Sequence, residues 1–494
     1  MTGFERGSWA ARRTIVPIFT AALLSGCVVG PDYQTPILPM PANWSGQKPA
    51  KSAQPAQLSK WWQRLRDPEL NALVEQAVSS NLDVATAKAR IREARASYRQ
   101  SLGTLLPSVD GSGSAARSKS AATTSGTSAT YSEYQAGFDA SWELDLFGAN
   151  HRSVEAARYR LDASAEELRS TLLTLVGDVA SYYTQARGYQ ARIQLARRAA
   201  ASQNQTAALT RAMAKAGTAT AADVAKAMGQ ASSTEADIPT LEAGYAEAVH
   251  RLSVLTGRPP AALNERLKHG APIPAPRLPI PTGIPSDILL ARPDVRMAER
   301  QYAQYTAKIG QAEAARYPSV SLTGDIDTSA LKLGDLGKNS SIGWSFGPTL
   351  SVPVFNAGQL KAAVEVAKAQ RDQYFIAYRS SVLTALEDVE NAIISLRQER
   401  IKNGRLASSA KSYGEAVRLE STLFKAGETS LLDVLDAQRS LYSAEDDLLQ
   451  SRIAIATDYI ALNKALGGGW DGMIDASKPE VVDTKTGPRL ASKP

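Results

Sequence analysis

The chain has 494 residues, of which 21% are charged and 44% are hydrophobic, and its formal net charge is +7. The basic residues form no block of the kind that binds nucleic acid, and no apolar run reaches the length of a membrane-spanning helix. Cys27 is the only cysteine, so an internal disulfide is excluded. If the chain crosses a membrane, it must do so with β-strands.

Residues 1–26 have the pattern of a secretory signal peptide, in which two arginines precede a short apolar run. The run leads into Leu24-Ser25-Gly26-Cys27, which resembles the cleavage box of bacterial lipoproteins. We therefore predict that Cys27 is acylated and becomes the first residue of the mature protein. Residues 27–66 are rich in proline and are predicted to form an extended segment behind this lipid anchor.

Two stretches alternate apolar and polar residues with a period of two, from Glu133 to Phe147 and from Ser341 to Phe355. This pattern predicts long strands with one apolar and one polar face. Shorter strands are predicted before them, at about residues 107–117 and 318–328. By parity the apolar faces carry three large aromatic residues that we expect to face lipid, namely Trp142, Trp344 and Phe346.

The opposite faces carry acidic residues, and two interpretations of them stay open. In a pore they would favour cations, whereas on any other sheet they would simply be solvated. The residues concerned are Glu133, Asp139, Glu143, Asp145, Asp325 and Asp327.

Each strand pair leads into very long helical sequence, and the whole arrangement occurs twice. About 65 residues after Asn150 contain no proline, which predicts a helix of roughly 100 Å. Lys215-Ala216-Gly217 returns as Lys425-Ala426-Gly427, 210 residues later. We therefore predict a first repeat at 67–267, a Pro-rich linker at 268–286, a second repeat at 287–470 and a polar tail at 471–494.

Four strands are too few to close a membrane barrel, which needs about eight. Open strand edges are not tolerated in lipid. Membrane-spanning strands in this chain would therefore require several copies to share one barrel. The physical interpretation is an oligomeric pore with a long helical extension.

Several motifs together resemble the outer-membrane factor family (TolC- and OprM-like), and more narrowly the NodT-type outer-membrane lipoproteins of resistance–nodulation–division efflux systems. The motifs are the lipobox Cys27, Gly30-Pro31-Asp32-Tyr33, Trp142 to Gly148, Pro353 to Gly358, Leu435 to Arg439 and Ala465 to Trp470. The resemblance implies a mainly α-helical fold in which a homotrimer forms a twelve-stranded β-barrel and a long periplasmic α-helical barrel. It implies a passive exit duct in the bacterial outer membrane, anchored by lipid and docked to a periplasmic adaptor and an inner-membrane pump.

The two predicted helical turns carry matching capping residues. A hydroxyl residue is followed three positions later by an acid, and a glycine precedes it where the previous helix should end. Because both halves share these residues, we assign them to turn structure: Gly217, Thr220 and Asp223 in the first turn, and Gly427, Ser430 and Asp433 in the second.

Asp436 and Arg439 occur only in the second half, where their counterparts are Lys226 and Gly229. Their spacing alone favours an exposed surface pair. The family resemblance instead implies that Leu432, Asp436 and Arg439 help to close the aperture at the periplasmic tip. The family usually has a tyrosine at the position of Phe424, so this gate would lack a hydroxyl hydrogen bond.

No catalytic site is predicted. His151, His250 and His269 have no metal-ligand spacing, and no nucleophile motif or phosphate-binding loop is present. We expect no enzyme activity, no cofactor and no bound metal. Two alternatives to an efflux duct remain: an outer-membrane duct for protein secretion, and a coiled-coil structural lipoprotein without a channel.

Overall fold

The computed structural model describes residues 28–45, 58–121, 128–276, 291–471 and 474. The chain folds into two compact units. We call them the sheet unit (within Met1–Ile37, Ile91–Ser164 and Met297–Tyr378) and the helical unit (within Leu38–Arg90, Ala165–Arg296 and Arg379–Pro494). The predicted signal peptide, and Cys27 with it, lies outside the described residues.

The elements follow the order helix, strand pair, long helix and shorter helix, twice over. A short 3-10 helix at Trp61–Leu65 comes first. The helices are α1 (Pro68–Ser80), α2 (Leu82–Gly103), α3 (Ala149–Lys215), α4 (Ala221–Leu255), α5 (Asn264–Leu267), α6 (Pro293–Ala314), α7 (Gln359–Ala426) and α8 (Leu431–Ala465). The strands are β1 (Ser108–Lys119), β2 (Thr130–Leu144), β3 (Ser319–Ala330) and β4 (Ile342–Ser351).

The four strands form one antiparallel sheet in the order β1-β2-β3-β4. Its register places Phe138, Ile326 and Trp344 opposite one another on one face. All three side chains are more than half exposed, although they are large and apolar. The sheet thus has an apolar face that nothing in the described chain covers.

Both long strands end before their predicted limits. After Leu144 the Leu146 amide donates to the Leu144 carbonyl, which turns the chain out of the sheet. Asp145 then accepts from the His151 amide at 2.7 Å, and its side chain is only 8% exposed. The interpretation of Asp145 as a lumen acid is therefore wrong, because it caps the start of α3. In β4, pairing stops two residues before Pro353, which has no amide proton to donate.

The duplication is visible in the contacts of the helical unit. Asn81 Nδ2 donates to the Leu255 carbonyl at the end of α4, at 3.0 Å. In the second half, Arg292 Nη1 donates to the Ala465 carbonyl at the end of α8, at 3.1 Å. Asn81 and Arg292 occupy equivalent positions in the two repeats. Each donates a hydrogen bond to the last carbonyl of the equivalent helix, which has no partner within its own helix.

The core of the helical unit combines the N-terminal segment with the middle of α7 and the last turns of α8. Trp44 is 3% exposed and packs with Val389, Leu396 and Leu462. Trp61 is 1% exposed and stacks edge-on against Tyr459. The burial of Trp44 and Trp61 against α7 and α8 anchors the described parts of the irregular N-terminal segment to these helices.

Candidate functional site: the paired helical turns

Two turns connect the long helices, one between α3 and α4 and one between α7 and α8. Gly217 has φ +78° and Gly427 has φ +79°, a left-handed conformation that glycine adopts without strain. At the first turn the Thr218 amide donates to the Met213 carbonyl at 2.9 Å, and the Gly217 amide donates to the Ala214 carbonyl at 3.1 Å. The second turn repeats both bonds, so each long helix ends in a Schellman motif.

Each turn then begins the next helix with a complete capping box. The Asp223 amide donates to Thr220 Oγ1 at 3.1 Å, and the Thr220 amide donates to Asp223 Oδ2 at 3.1 Å. Ser430 and Asp433 make the same exchange. Hydrogen bonds from Thr220 lower the pKa of Asp223, and bonds from Ser430 and Thr429 lower the pKa of Asp433. Both carboxylates therefore serve the turn backbone.

The two turns share one small hydrophobic core within the helical unit. It contains Ala207 and Ala227 from the first pair of helices and Phe424, Leu431, Val434 and Leu435 from the second. Phe424 is 7% exposed, and its ring packs the two turns together within this core.

The other predicted gate residues lie on one exposed face of α8. Leu432 is 63% exposed, and the side chains of Asp436 and Arg439 are 60% and 66% exposed. Arg439 Nη2 donates to Asp436 Oδ1 on the same helix. The opposite face of this first turn carries the buried Leu431 and Val434, so packing against the shared core turns Leu432, Asp436 and Arg439 outwards.

A line of polar contacts holds α8 against α3 and α4; we call it the polar seam (Arg192, Thr206, Asp237, Gln438, Tyr442 and Asp446). Arg192 donates twice to Asp446, Nε to Oδ1 at 2.6 Å and Nη2 to Oδ2 at 2.9 Å. Tyr442 donates to Asp237 at 3.1 Å, and Gln438 Nε2 donates to Thr206 Oγ1 at 2.9 Å. These bonds join different helices, unlike the Asp436–Arg439 pair.

The surroundings of Tyr442 and Arg192 in the seam keep the tyrosine hydroxyl protonated and the arginine charged. Burial, the Asp237 charge and the hydrogen bond to Asp237 raise the pKa of Tyr442 to about 12. Burial alone would lower the pKa of Arg192, but its bonds and ion pair with Asp446 raise the pKa overall. Sequence analysis missed the seam, because Arg192 and Asp446 are 254 residues apart and no local motif marks them.

A row of three aspartates crosses the polar face of the sheet. The register places Asp110 opposite Asp139 and Asp139 opposite Asp325. Like charges directly opposite on neighbouring strands repel each other, so this row concentrates negative potential at one level. Sequence analysis named Asp139 and Asp325 but missed Asp110. The alternation of Val109 and Asp110 within β1 could have placed Asp110 on the polar face.

The three aromatic residues predicted to face lipid lie on the apolar face of the sheet. Trp344 is 77% exposed and Phe346 is 70% exposed. Trp142 is 37% exposed, and its indole N–H donates to the Leu105 carbonyl at 3.1 Å. This arrangement keeps each apolar ring outward while the one polar N–H of the Trp142 side chain is satisfied.

The segment that follows Cys27 is held firmly within the sheet unit. Arg152 is 4% exposed and donates to the Val29 and Gly30 carbonyls at 3.1 Å and to Asp32 at 2.8 Å. Gly30 is required because a Cβ there would lie 2.3 Å from the α-carbon of Gly310. Tyr33 donates to Glu299, and burial raises the pKa of its hydroxyl. The Gly-Pro-Asp-Tyr motif thus docks the N-terminal segment.

Among the described residues, no group of three or more His, Cys, Asp or Glu side chains is arranged to hold a metal ion. The helices within the described ranges include none with the length and apolar character to cross a membrane.

Comparison with known proteins identifies the family. The family described as outer membrane efflux protein matches residues 73–258 and 284–468, one segment in each half. Nodulation protein T of Rhizobium leguminosarum bv. trifolii is 36% identical over 462 residues, which cover 93% of this chain and 98% of that protein. The solvent efflux pump outer membrane protein SrpC of Pseudomonas putida is 33% identical over 464 residues, covering 92% and 98%.

Among solved structures, the outer-membrane channel OprN superposes with a TM-score of 0.84 at 32% identity, covering 90% of this chain and 100% of that one. The predicted family, fold class, outer-membrane location and efflux function are confirmed by these matches. Neither the secretion duct nor the channel-free lipoprotein is favoured by them. The chain belongs to the outer membrane efflux protein family, whose members are channels of the outer membrane and not enzymes.

Proposed function

We propose that three copies of this chain assemble into the exit duct of a tripartite efflux system, which passively conducts small molecules out of the cell. A periplasmic adaptor and an inner-membrane resistance–nodulation–division pump would deliver the cargo. The observation that carries the trimer is the open sheet: β1 and β4 are edge strands, and the outer edge of each pairs with no strand in the described chain. Three sheets of four strands close a twelve-stranded barrel, which removes every edge from lipid.

The exposed apolar residues of α7 support the same assembly. Ile376, Leu383, Ile394, Ile401 and Leu419 are between 42% and 64% exposed. Their separations of 7, 11, 7 and 18 residues place them on one face of the helix, as in long helical assemblies with 3.5- to 3.7-residue periods. A stripe of this length needs a partner helix, and a neighbouring copy would supply one.

The paired turns are proposed to form the periplasmic tip of this duct. Leu432, Asp436 and Arg439 share an exposed face of α8, so three copies would present three of each side chain around the axis. Leu432 would provide an apolar ring and Asp436 a ring that attracts cations. Phe424, the Schellman glycines and the capping boxes would support this face from behind.

The apolar face of the sheet, with Trp142, Trp344 and Phe346, is proposed to contact lipid. Acylation of Cys27 would add a second membrane attachment. Labelled palmitate fed to cells should enter the wild-type protein and not a Cys27→Ser variant. Equal labelling of both proteins would remove the anchor from this proposal.

Electron-microscope projection imaging of the detergent-extracted protein tests the duct directly. We expect hollow end views with threefold symmetry and ion conductance in a planar bilayer. Ile394→Asp should break the assembly, whereas Ser395→Asp, at an exposed position on another face of α7, should leave it intact. Solid rods without conductance would refute the duct. If cells that carry the duct export a protein through it, the secretion-duct hypothesis would replace the small-molecule efflux hypothesis.

A further inference from the structure

The apolar face of the sheet carries two charged residues in its described strands, and both are basic. Arg117 of β1 pairs with Ser132 of β2, at an even-numbered position that shares a face with Phe138. Lys119 pairs with Thr130, the next position on that face. The acidic residues of the four described strands all fall on the polar face. The apolar face therefore has positive charge at one end and none along the rest of its length.

Both basic residues lie at the loop end of β1, far from the helices. A basic side chain is costly at the middle of a membrane and costs little at the interface with water. Lys119 follows Val109 by ten residues, which is about 34 Å along a strand and about 26 Å in height at a tilt of about 40°. The apolar band of a membrane barrel is about 25 Å tall, so Lys119 lies at the level of lipid headgroups.

The N-terminal segment indicates which leaflet this is. The Val29 amide donates to the Phe147 carbonyl at 3.1 Å, just past the helix end of β2. Cys27 precedes Val29 by two residues, so its proposed acyl chains would enter the periplasmic leaflet at the helix end of the sheet. The loop end of the sheet, with Arg117 and Lys119, then lies in the outer leaflet.

An open apolar groove lies on the same face of the sheet. Its volume is about 500 Å³, and its lining includes Ala136, Phe138 and Ile342 from the strands and Gly337 from the loop between β3 and β4. Ala136 pairs with Gly113 of β1, which is four residues, or about 14 Å, from Arg117. One lipid can therefore lay an acyl chain in the groove and place its headgroup at Arg117.

The loop between β3 and β4 adds to the positive charge at this end. It contains Lys332, Lys338 and one acid, Asp335, which pairs with Lys338. Arginine and lysine bind phosphate through charge-assisted hydrogen bonds. Four basic residues and one acid, beside an apolar groove, match a lipid that carries more than one phosphate and several acyl chains.

We propose that this face is a binding site for lipopolysaccharide, the phosphorylated glycolipid of the outer leaflet. Arg117 and Lys119 bind the phosphates of its lipid A part, and one acyl chain occupies the groove beside Ala136. The site rests on the proposed contact of the sheet with the outer membrane, but it does not depend on conduction.

Native mass spectrometry of the full-length, detergent-extracted protein measures this binding, with purified diphosphoryl lipid A as the probe. Arg117→Gln with Lys119→Gln should weaken binding roughly thirtyfold, since each basic residue near an anionic headgroup contributes about fivefold. The matched control is Lys361→Gln with Lys368→Gln, at exposed positions near the start of α7, which should bind as the wild type does. Undiminished binding by the first double variant overturns the proposal, and so does an equal loss in the control.

Ala136→Leu tests the groove without changing a charge. The larger side chain takes the space of the acyl chain, so binding of lipid A should weaken about tenfold. Ala140→Leu lies on the same strand and face but outside the groove lining, and it should leave binding unchanged. If the two leucine variants bind equally well, the groove holds no acyl chain and the proposal fails.

Dioleoyl phosphatidylglycerol, with one phosphate and two acyl chains, is the comparison lipid. Tighter binding of lipid A than of this phospholipid supports the proposal, whereas equal binding of both lipids means a general attraction to anionic lipid and overturns it. If the protein conducts no ions in a planar bilayer, the exit-duct proposal fails, while the lipid A measurements still decide this site.

Discussion

Replacing Arg192 with methionine should loosen α8 from α3 more than any change to the proposed gate residues Leu432, Asp436 and Arg439. The Arg192–Asp446 pair is bidentate, with distances of 2.6 Å and 2.9 Å, and its side chains are only 23% and 18% exposed. A hydrogen bond to a charged, largely buried group contributes about 1.5–3 kcal/mol. Asp446 keeps a bond from Gln450 at 2.7 Å, so we expect a loss of about 2 kcal/mol per protomer.

The Asp436–Arg439 pair provides the contrast. Its side chains are 60% and 66% exposed, and exposed pairs at this helical spacing contribute about 0.3–0.5 kcal/mol. Both residues lie on α8, so a movement of α8 leaves this pair intact. In the proposed gate, opening would therefore have to disrupt the seam.

A double-mutant cycle of Arg192→Met and Asp446→Asn in equilibrium unfolding measures the coupling. We expect at least about 1 kcal/mol, together with more frequent channel openings in a planar bilayer. The matched control is the exposed Glu415–Arg418 pair within α7, with side chains 56% and 65% exposed, whose removal should leave channel opening unchanged. Additive single effects, with coupling under about 0.3 kcal/mol, would refute this account of the seam.

Four further predictions concern the turns and the sheet. Asp436→Ala with Arg439→Ala should raise single-channel conductance, and an unchanged conductance would remove both residues from the gate. Gly427→Ala should lower the free energy of unfolding by about 1–2 kcal/mol because of its φ of +79°, whereas Gly229→Ala, inside α4, should raise it by about 0.5–1 kcal/mol. Folding lowers the pKa values of Asp223 and Asp433. The two carboxylates therefore stabilise the folded turns fully above the unfolded pKa of about 3.8, and this stabilisation is lost as the pH falls through the folded pKa values. Proteolysis at the turns should be constant from about pH 5 to 8 and increase only in stronger acid. Neutralising the aspartate row with Asp110→Asn, Asp139→Asn and Asp325→Asn should reduce cation preference in reversal-potential measurements, and an unchanged preference would place selectivity elsewhere.

Local patterns in the sequence were sufficient for the elements and for the turns. The period of two in residues 133–147 and 341–355 predicted the existence of both strands and their apolar faces. The turn residues form short motifs of three to five residues, so the roles of Thr220, Asp223, Ser430 and Asp433 could be predicted without knowing the fold. The predicted strand ends were less accurate, because Asp145 pairs with the start of α3 and not with the sheet.

The sequence by itself determined the class of this protein, because periodicity, capping motifs and an internal repeat act over short distances along the chain. Only the tertiary structure decided which surfaces meet. It brought Arg192 to Asp446, aligned Asp110 with Asp139 and Asp325, and buried Phe424 between the two turns. These contacts depend on strand register and helix packing, which join residues far apart in the chain and leave no local pattern in the sequence.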